Sequence, residues 1–467
     1  MNFKELNIIP KVVPALDKDF CPAVLVNRSF LEEVNKTNLG TRLVIAIERG
    51  GGLVSVYENQ IFKDNCGKND LNFIIIERIV KTLLWLKGGW KVTIAGSKTV
   101  GEAIRQAYGP GGIREFDAKF MGKVYEKTFT VEVCEYENIP EQREDSKPVG
   151  RHLDGCRIGF DAGGSDRKVS AVIDGETVYS EEVVWFPKIN SDPKYHYEEI
   201  LTAMKTAAAH MPRVDAIGIS SAGIYINNRV MVASLFLKIP EEIFDKKIKD
   251  IYLNVAKEIG DVPVEIANDG DVTALAGAMD LNDTNVLGIA MGTSEAAGYV
   301  DSDGNITGWL NELAFVPVDF NENSMVDEWS GDYGCGVKYF SQDAVIKLAA
   351  AAGIKLDSKL SPGDSLKAVQ KLLENGNLEA VKIFETIGCY LGYGIAYYAQ
   401  FYDIKHILVL GRVTSGEGGS IIFKIAKNVL EIEFSELSKK INITLPDETN
   451  RRVGQSIAAA SLPKIKK

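Results

Sequence analysis

The sequence predicts a mixed α/β protein with more than one domain. Its length of 467 residues exceeds what a single hydrophobic core normally serves. Apolar runs with the period of buried strands alternate with runs of helical period, and two glycine-containing turns each join a pair of strands. Hydrophobic residues make up 45% and charged residues 25% of the chain, which is typical of a globular protein.

The first glycine turn is the clearest local signal. A strand that begins at Ile158 ends near Asp161, and Gly163, Gly164 and Ser165 then reverse the chain. Alternating apolar residues form the return strand, which closes on a second turn of Asp-Gly type. This pattern predicts a β-hairpin whose tip is rich in glycine.

Such a tip is suited to binding a phosphate group. Glycine lets the backbone approach a ligand that a Cβ would exclude, and exposed N–H groups beside Arg167 and Lys168 would attract an anion. Asp161 would hold Mg²⁺ through water, because Mg²⁺ retains most of its waters. The alternative is an ordinary hairpin with a glycine turn.

Charge and cysteine content exclude several classes of protein. The net charge of −11 argues against a nucleic-acid partner. The 6 cysteines lie far apart without a C-x-x-C pair, which favours reduced thiols over a disulfide framework or a zinc knuckle. No apolar run has the length of a signal peptide core or a membrane span, so we expect a soluble cytoplasmic protein with no membrane partner.

Residues 1–150 are predicted to form an additional N-terminal α/β domain of unknown role. Its order of strand, glycine turn, strand, helix, strand and helix is similar to that of the later chain, which suggests an internal copy. The segments expected are strands over 43–47, 53–57 and 91–95 and helices over 73–86 and 99–108. The charged and proline-containing stretch 137–151 is the predicted linker.

A polar pair follows a later buried strand. Asn268 and Asp269 come directly after the strand 264–266 and before a helix over 272–278. Ligands of α/β sheets bind at this edge, where strands hand over to helices. The alternative role for Asp269 is to cap the helix. A helix over 243–258 is expected just upstream.

A second glycine turn repeats the pattern of the first. The strand 286–291 runs into Gly292, Thr293 and Ser294, and the chain returns at 299–300. Near the end, a buried strand over 407–410 stops at Gly411. Each signal alone is weak, but two such hairpins separated by a strand, an Asn-Asp pair and a helix are much rarer together.

In this order the motifs resemble the ROK sugar kinases and repressors, which belong to the ATPase superfamily of actin, hexokinase and the large heat-shock chaperones. The resemblance covers about residues 155–460 and leaves the first 150 aside. The matching segments are Asp161–Ser165, Gly218–Gly223, Asn268–Asp271, Met291–Ser294, Asn311–Phe315 and Leu410-Gly411.

The resemblance implies a two-lobed fold, with one lobe over 151–280 and the other over 281–467. It implies that the chain binds ATP with Mg²⁺. The implied phosphate and ATP contacts are Asp161, Gly163, Gly164, Ser165, Gly292, Thr293, Ser294 and, for adenosine, Gly411. Asp269 aligns with the catalytic base, and the implied sugar contacts are Ser221, Asn268, Asp269 and Glu312.

The chain also departs from the family. A His that binds sugar and zinc is Phe315 here, a sugar-binding Glu is Val337, and of the zinc thiolates only Cys335 remains. We therefore expect no zinc, since a structural site needs about four ligands. Both lost sugar contacts lie on the acceptor side, which fits either a different acceptor or the loss of catalysis.

Three functions remain open from the sequence. The first is a kinase that transfers the γ-phosphoryl group of ATP to a sugar or sugar derivative, with Asp269 as general base. The second is a sugar sensor or regulator with little catalysis; some relatives carry a winged helix-turn-helix, an alternative for residues 1–150. The third is an ATPase with a non-sugar client. The sequence is compatible with a homodimer but does not settle the oligomeric state.

Overall fold

The computed structural model describes residues 6–144, 148–444 and 448–465, and of residues 448–453 only the backbone. Contacts divide the chain into two compact units. Unit 1 comprises Met1–Asp145, Ile289–Ala296 and Trp309–Leu445. Unit 2 comprises Ser146–Gly288, Ala297–Gly308 and Pro446–Lys467.

The first part of unit 1 builds a four-stranded sheet with helices. Its elements are α1 (Ala23–Asn35), β1 (Gly40–Glu48), β2 (Val54–Phe62), α2 (Asn69–Lys87), β3 (Lys91–Ala95), α3 (Lys98–Ala107), α4 (Glu115–Tyr125) and β4 (Thr130–Cys134). The sheet order is β2-β1-β3-β4, with β1 antiparallel to β2 and β3, and β3 parallel to β4. The strand predicted over 91–95 is confirmed, and the two predicted helices are confirmed with shifted ends.

Unit 2 is built on a five-stranded sheet. Its elements up to residue 280 are β5 (Cys156–Ala162), β6 (Asp166–Ile173), β7 (Glu176–Val184), α5 (Pro193–Ala208), β8 (Ala216–Ser221), β9 (Ile224–Ile226), β10 (Arg229–Val232), α6 (Glu241–Ile243), α7 (Ile251–Ile259), β11 (Val264–Asn268) and α8 (Asp269–Asp280). The order is β11-β8-β5-β6-β7, with β5, β6 and β7 antiparallel in turn and β8 parallel to both β5 and β11. The predicted first hairpin is confirmed.

The N-terminal sheet is not a copy of the sheet in unit 2. A strand that follows a crossover helix lies parallel to the strand before that helix. In unit 2 a third strand, β7, precedes α5, so β8 lies parallel to β5. In the N-terminal sheet only the hairpin β1–β2 precedes α2, so β3 lies antiparallel to β1. Within residues 6–144, this mixed sheet also replaces the winged helix-turn-helix that the sequence left open.

The helix predicted over 243–258 is broken. A π-helical segment, Phe244–Ile248, separates α6 from α7. The N–H of Lys249, the residue after this segment, donates to the carbonyl of Phe244 at 3.1 Å. The carbonyl of Lys249 accepts from the N–H of Val230 in β10 at 2.9 Å. The wider π-helical bond and the contact with β10 thus coincide at Lys249, where the regular α-helix is interrupted.

The remaining chain adds another four-stranded sheet and six helices within the described residues. Its elements are β12 (Val286–Met291), β13 (Glu295–Val300), α9 (Gln342–Ala351), α10 (Pro362–Glu374), α11 (Leu378–Tyr398), β14 (His406–Leu410), α12 (Glu417–Glu433), α13 (Ser435–Lys440), β15 (Asn442–Thr444) and α14 (Glu448–Ala460). The sheet order is β13-β12-β14-β15, and β14 is parallel to β15.

Two glycines let α14 lie directly on the sheet of unit 2. A Cβ on Gly218 would lie 1.7 Å from the carbonyl oxygen of Ala459, and one on Gly159 would lie 2.3 Å from that of Ser456. Backbone cannot move away as a flexible side chain can, so both positions require glycine. Gly218, which belongs to one of the motifs in the sequence, therefore serves helix packing.

The compact units differ from the three segments expected from the sequence. Residues 1–145 share unit 1 with Trp309–Leu445, and the chain after 445 returns to unit 2. Hydrogen bonds join the N-terminal segment to the later part of unit 1: Cys21 N–H donates to Asp319 at 2.9 Å, and Leu16 N–H donates to Thr386 at 3.3 Å. Each compact unit is thus built from several separate stretches of the chain, and the segments 1–150, 151–280 and 281–467 do not coincide with the units.

A buried group of charges joins α2 to the loop 326–335 within unit 1. Asp332 accepts hydrogen bonds from Arg78 at 2.7 Å and Lys81 at 2.6 Å, and it lies 2.8 Å from Arg114 Nη1. Two further buried acids, Glu77 and Asp117, balance the three cations. We call these residues the Asp332 cluster: Glu77, Arg78, Lys81, Arg114, Asp117 and Asp332.

The cations control the protonation of Asp332. Burial alone would raise the pKa of its carboxyl group, but Lys81, Arg78 and Arg114 hold that pKa far below the usual value. A carboxyl whose pKa is depressed in the folded state stabilises the fold above its unfolded pKa, near 3.8. That contribution is lost as the pH falls toward the folded pKa.

Among the described residues, no helix combines the length and apolar character needed to cross a bilayer.

Replacing Asp332 with Asn should lower the free energy of unfolding by about 3 to 5 kcal/mol, because three buried cations lose their shared anion. Urea unfolding at pH 7 measures the change. The matched control is Glu102→Gln, which removes an exposed ion pair to Arg105 and should cost less than about 1 kcal/mol. An equal, small effect for both variants would contradict the role given to the cluster.

Candidate functional site

The first glycine turn of unit 2 leaves part of its backbone open. Gly164 and Ser165 are exposed. A Cβ on Gly163 would lie 2.7 Å from the backbone oxygen of Asp166, so the turn itself requires glycine there. A Cβ on Gly164 would meet only the end of the Lys188 side chain, also at 2.7 Å. Gly164 therefore keeps open a space whose nearest neighbour is a flexible cation.

Neither cation that the sequence suggested beside this turn is free. Arg167 is buried and bonds through Nε to Glu199 at 2.8 Å. Lys168 lies 3.3 Å from the carboxylate of Asp166. Arg167 takes a buried position of β6, whereas its neighbours Asp166 and Lys168 are half-buried. The expectation that both cations attract a phosphate is therefore wrong for Arg167.

Asp161 lies near the end of β5 with its carboxylate almost fully buried. The hydroxyl of Ser220 donates to Oδ1 at 2.8 Å. Burial raises the pKa of Asp161 to about 6, the Ser220 hydrogen bond opposes this, and the charge of Asp269 raises it further. A hard cation would relieve the repulsion between the two carboxylates. The residues present therefore fit Mg²⁺ held through water.

Asn268, and not Asp269, is the principal cap of α8. Its Oδ1 accepts from Gly270 N–H at 2.7 Å, and its Nδ2 donates to the carbonyl of Gly223 at 2.8 Å. Asp269 Oδ1 lies 3.0 Å from the same Gly270 nitrogen. Because Asn268 already supplies the cap, the capping alternative does not explain the carboxylate at position 269.

Asp269 is electrostatically coupled to two other groups of unit 2. Burial raises the pKa of its carboxyl group, the Gly270 N–H opposes that shift, and Lys188 also lowers the pKa. The charge of Asp269 in turn raises the pKa of Asp161. The fold thus brings together Asp161, the first turn, Asp269 and Lys188.

Sequence reasoning missed Lys188. It lies in a short 3₁₀ turn, Pro187–Ile189, after the edge strand β7, and no motif surrounds it. Its place beside Gly164 follows from how β7 returns along the hairpin, where Asp166 pairs with Val184. A cation in a loop after a strand is too common a pattern to have identified it.

Ser221 lies at the end of β8 and is fully buried. Its hydroxyl is 2.9 Å from the hydroxyl of Tyr252, which is also buried. The structure thus gives Ser221 a partner within the core of unit 2, and a role as sugar contact stays a prediction. The neighbouring Ser220 is the residue that reaches Asp161.

The second glycine turn lies in unit 1 and is the more open of the two. Thr293 and Ser294 are exposed, and the backbone is closed by a hydrogen bond from Gly292 N–H to Ser294 O at 3.0 Å. A Cβ on Gly292 would meet nothing closer than that oxygen, at 3.8 Å. Packing therefore does not require glycine at position 292, whereas an approaching ligand would.

Gly411 has a structural reason to be glycine. Its φ of +107° is rarely adopted by other residues, and a Cβ would lie 2.4 Å from the backbone oxygen of Met291. The glycine therefore lets the end of β14 lie against β12. Its role as an adenosine contact stays a prediction.

The end of α2 holds the backbone of Glu312. The N–H groups of Asn311 and Glu312 donate to the carbonyls of Leu86 and Trp85, each at 3.0 Å. The last carbonyls of a helix have no partner within it, so they are available to another segment. The N-terminal segment of the chain therefore positions Glu312, whose side chain is half-buried.

Aromatic stacking occupies the position where the resemblance implied a lost His. The ring of Phe315 stacks on Trp85 with centroids 4.1 Å apart and an interplanar angle of 24°. Cys335 is buried, and its Sγ lies 3.7 Å from the ammonium group of Lys81. A cation at that distance opposes metal binding, and the described residues contain no group of three metal-ligating side chains. The loop does not fit zinc, whose absence stays a prediction.

A second carboxyl group lies close to Glu312. Glu295, at the start of β13, is buried, and Tyr398 donates to its Oε1 at 3.4 Å. In the described part of the chain its Oε2 has no hydrogen-bond partner. Burial raises the pKa of Glu295 to about 8, and the charge of Glu312 adds to the shift. Glu295 is therefore protonated in the folded protein at neutral pH.

The raised pKa of Glu295 should make stability fall as the pH rises. Between about pH 4.5 and 8 the folded state holds one proton that the unfolded state has lost, so this group lowers the free energy of unfolding by up to about 1.4 kcal/mol per pH unit. Glu295→Gln, which cannot titrate, should remove that slope in urea unfolding measured from pH 5 to 8.

The control for this experiment is Glu374→Gln, on the exposed surface of α10. Its unfolding free energy should follow that of the wild type across the pH range. If the Glu295→Gln and wild-type curves stay parallel, Glu295 is ionised in the folded protein and the assignment is wrong.

A model of the ROK family matches residues 157–454. The ROK hexokinase from Thermus thermophilus is similar at 18% identity, with 65% of this chain and 97% of that chain covered and a TM-score of 0.51. A ROK family transcriptional regulator, homolog of the E. coli MLC protein, is similar at 18% identity, with coverages of 66% and 79% and a TM-score of 0.50. No curated protein matches the chain.

These two solved structures share the fold with this chain, a mixed α/β fold of the hexokinase-like type. Neither comparison extends over the whole of this chain, and the family model begins only after the N-terminal sheet. Because the family model spans more than half of the 467 residues, the protein belongs to the ROK family.

Proposed function

We propose that the protein is an ATP-dependent kinase that phosphorylates a hydroxyl group of a sugar or sugar derivative, with Asp269 as general base. The observation that carries this proposal is the carboxylate of Asp269. It lies at the junction of β11 and α8, it is not needed as the helix cap, and it is coupled to Asp161 and Lys188. The hexokinase of this fold is a precedent for the activity.

In the proposed reaction, the oxygen of the sugar hydroxyl attacks the γ-phosphorus of ATP. The new O–P bond forms as the bond between that phosphorus and the bridging oxygen of ADP breaks, and ADP leaves with that electron pair. The hydroxyl proton passes to Asp269. A raised pKa suits this task, because a base works best when its pKa is near the working pH.

The remaining residues bind and orient the nucleotide. The open backbone at Gly164 and Gly292 would receive phosphate oxygens, each turn acting within its own unit. Mg²⁺, held through water by Asp161, would neutralise charge on the phosphates. Gly163, Ser165, Thr293 and Ser294 complete the turns, and Gly411 would contact the adenosine.

The acceptor side is altered from the family pattern, so the acceptor need not be an ordinary hexose. Glu312 would bind a hydroxyl group of the substrate, and its backbone is fixed by α2. Asn268 already uses its carbonyl and one N–H within the protein, which leaves its second N–H for the substrate.

A second candidate function is a regulator that binds a sugar with little catalysis. Phe315 favours it, because this residue replaces a polar sugar contact and is stacked on Trp85. The regulator of this fold is its precedent. The net charge of −11 does not favour DNA as a partner.

Mg·ATP should raise the melting temperature, because a ligand that binds only the folded state stabilises it. At about 100 times its dissociation constant it would add about 2.7 kcal/mol. Gly292→Val should remove most of this shift without weakening the free protein, since the nearest described atom to the added Cβ, Ser294 O at 3.8 Å, is at an ordinary contact distance. Differential scanning fluorimetry measures both effects. Gly163 is a poorer choice, because a Cβ there strikes the turn's own backbone.

The matched control is Gly308→Val, at an exposed glycine where no described atom lies within 4 Å of an added Cβ. It should keep the full response to Mg·ATP. A wild-type protein whose melting temperature does not respond to Mg·ATP would refute the kinase proposal.

Asp269→Asn should lower turnover by about 10²- to 10⁴-fold, because an amide cannot accept the proton. The shift produced by Mg·ATP should survive, since both phosphate turns are unchanged. A coupled ADP-release assay over sugars, amino sugars and sugar acids first identifies the acceptor, and the variant is then compared on that acceptor.

Near-normal turnover of Asp269→Asn would show that another group is the base. If no acceptor is found in the panel while Mg·ATP still binds, the regulator becomes the better description. Asn268→Ala is the structural comparison: it removes the cap of α8 and should lower stability by about 1 kcal/mol.

A further inference from the structure

The side chain of Lys188 lies against the first glycine turn, although no sequence motif surrounds this lysine. Its Cε and Nζ both lie 2.7 Å from the point that a Cβ on Gly164 would occupy. The side chain is exposed. In the part of the chain that the structure describes, no carboxylate lies within ion-pair distance of this lysine. Its ammonium group is therefore available to a ligand that reaches the turn.

Hydrogen bonds to the first glycine turn hold the backbone just before Lys188 in place. Trp185 is buried; its indole N–H donates to Gly163 O at 2.7 Å, and its backbone N–H donates to Ser165 O at 3.1 Å. The ring of the buried His196 lies 3.1 Å from the carbonyl of Pro187. The segment before Lys188 is thus tied to both sides of the turn, while the side chain stays free to move.

Lys188 is also electrostatically coupled to Asp269. Burial raises the pKa of that carboxyl group, and the charge of Lys188 acts against the shift. The lysine is therefore near both the tip of the phosphate turn and the group expected to take the hydroxyl proton. In a kinase reaction the transferred phosphoryl group lies between the bound nucleotide and the base that takes the hydroxyl proton. Lys188 is therefore close to where that group would be.

We propose that Lys188 binds the terminal phosphoryl group of ATP during transfer. This inference rests on the proposed kinase function and adds a residue to it. The ammonium group keeps its protons throughout: the acceptor oxygen gains the phosphorus, ADP takes the bridging oxygen, and the proton goes to Asp269. Lys188 offsets the charge that spreads over the phosphoryl oxygens in the transition state.

The test compares ATP with ADP, because only ATP carries the group that Lys188 would bind. In Lys188→Met the stabilisation by Mg·ATP should fall to that by Mg·ADP, while stabilisation by Mg·ADP stays at the wild-type value. Turnover should drop by about 10²- to 10³-fold, as when one charge-stabilising donor is removed. Lys188→Arg, which keeps the charge, should restore the preference for ATP.

Lys194→Met is the matched control, since Lys194 is an exposed lysine on the first turn of α5 whose ammonium group pairs with the exposed Glu198. It should behave as the wild type. Gly164→Ala provides a second variant: its methyl group would displace the end of Lys188. It should also lower the preference for ATP, and adding Lys188→Met should then have little further effect.

Two results would overturn the inference. The first is a Lys188→Met protein that keeps the wild-type preference for ATP and the wild-type turnover. The second is an equal loss of ATP and ADP stabilisation together with a lower melting temperature of the free protein, which indicates a structural role. A wild type that responds to neither nucleotide refutes the kinase function itself, and is thereby distinguished from both.

Discussion

The shared anion of Asp332 is the interaction on which unit 1 depends. Burying a charge costs several kcal/mol unless a partner compensates it, and here three cations converge on one carboxylate. Two of them, Arg78 and Lys81, lie on α2, so the loop 326–335 can bury its acid only when α2 lies against it. The N-terminal segment is therefore an integral part of unit 1.

The position of α2 then determines the surroundings of Glu312. Its last carbonyls hold the backbone at residues 311 and 312, and Trp85 stacks on Phe315. The same helix places Lys81 beside Cys335. Charge pairing and stacking thus hold this loop against α2. A change in α2 is expected to reach Glu312 through its backbone.

In unit 2, unlike in the Asp332 cluster, the buried carboxylates are not fully balanced by cations. Asp161 and Asp269 are coupled carboxylates with raised pKa values, and the exposed Lys188 is coupled to Asp269. Buried acids without full compensation are typical of functional sites, where stability is given up for chemistry. Trp185 contacts the backbone of the first glycine turn, and His196 contacts the backbone just before Lys188. The contrast with the balanced Asp332 cluster supports the proposal that the charges of unit 2 serve a ligand.

The sequence by itself determined what depends on neighbouring residues: the glycine hairpins, the strand over 91–95 and the strand–helix junction at Asn268-Asp269. It could not tell which glycines packing requires: a Cβ on Gly411 would strike the backbone of Met291, whereas the nearest described atom to a Cβ on Gly292 lies 3.8 Å away. Nor could it give the direction of β3 or the place of Lys188. Only the tertiary structure decided these, because side chains as distant as Lys81 and Asp332, 251 positions apart, must meet before their burial becomes favourable.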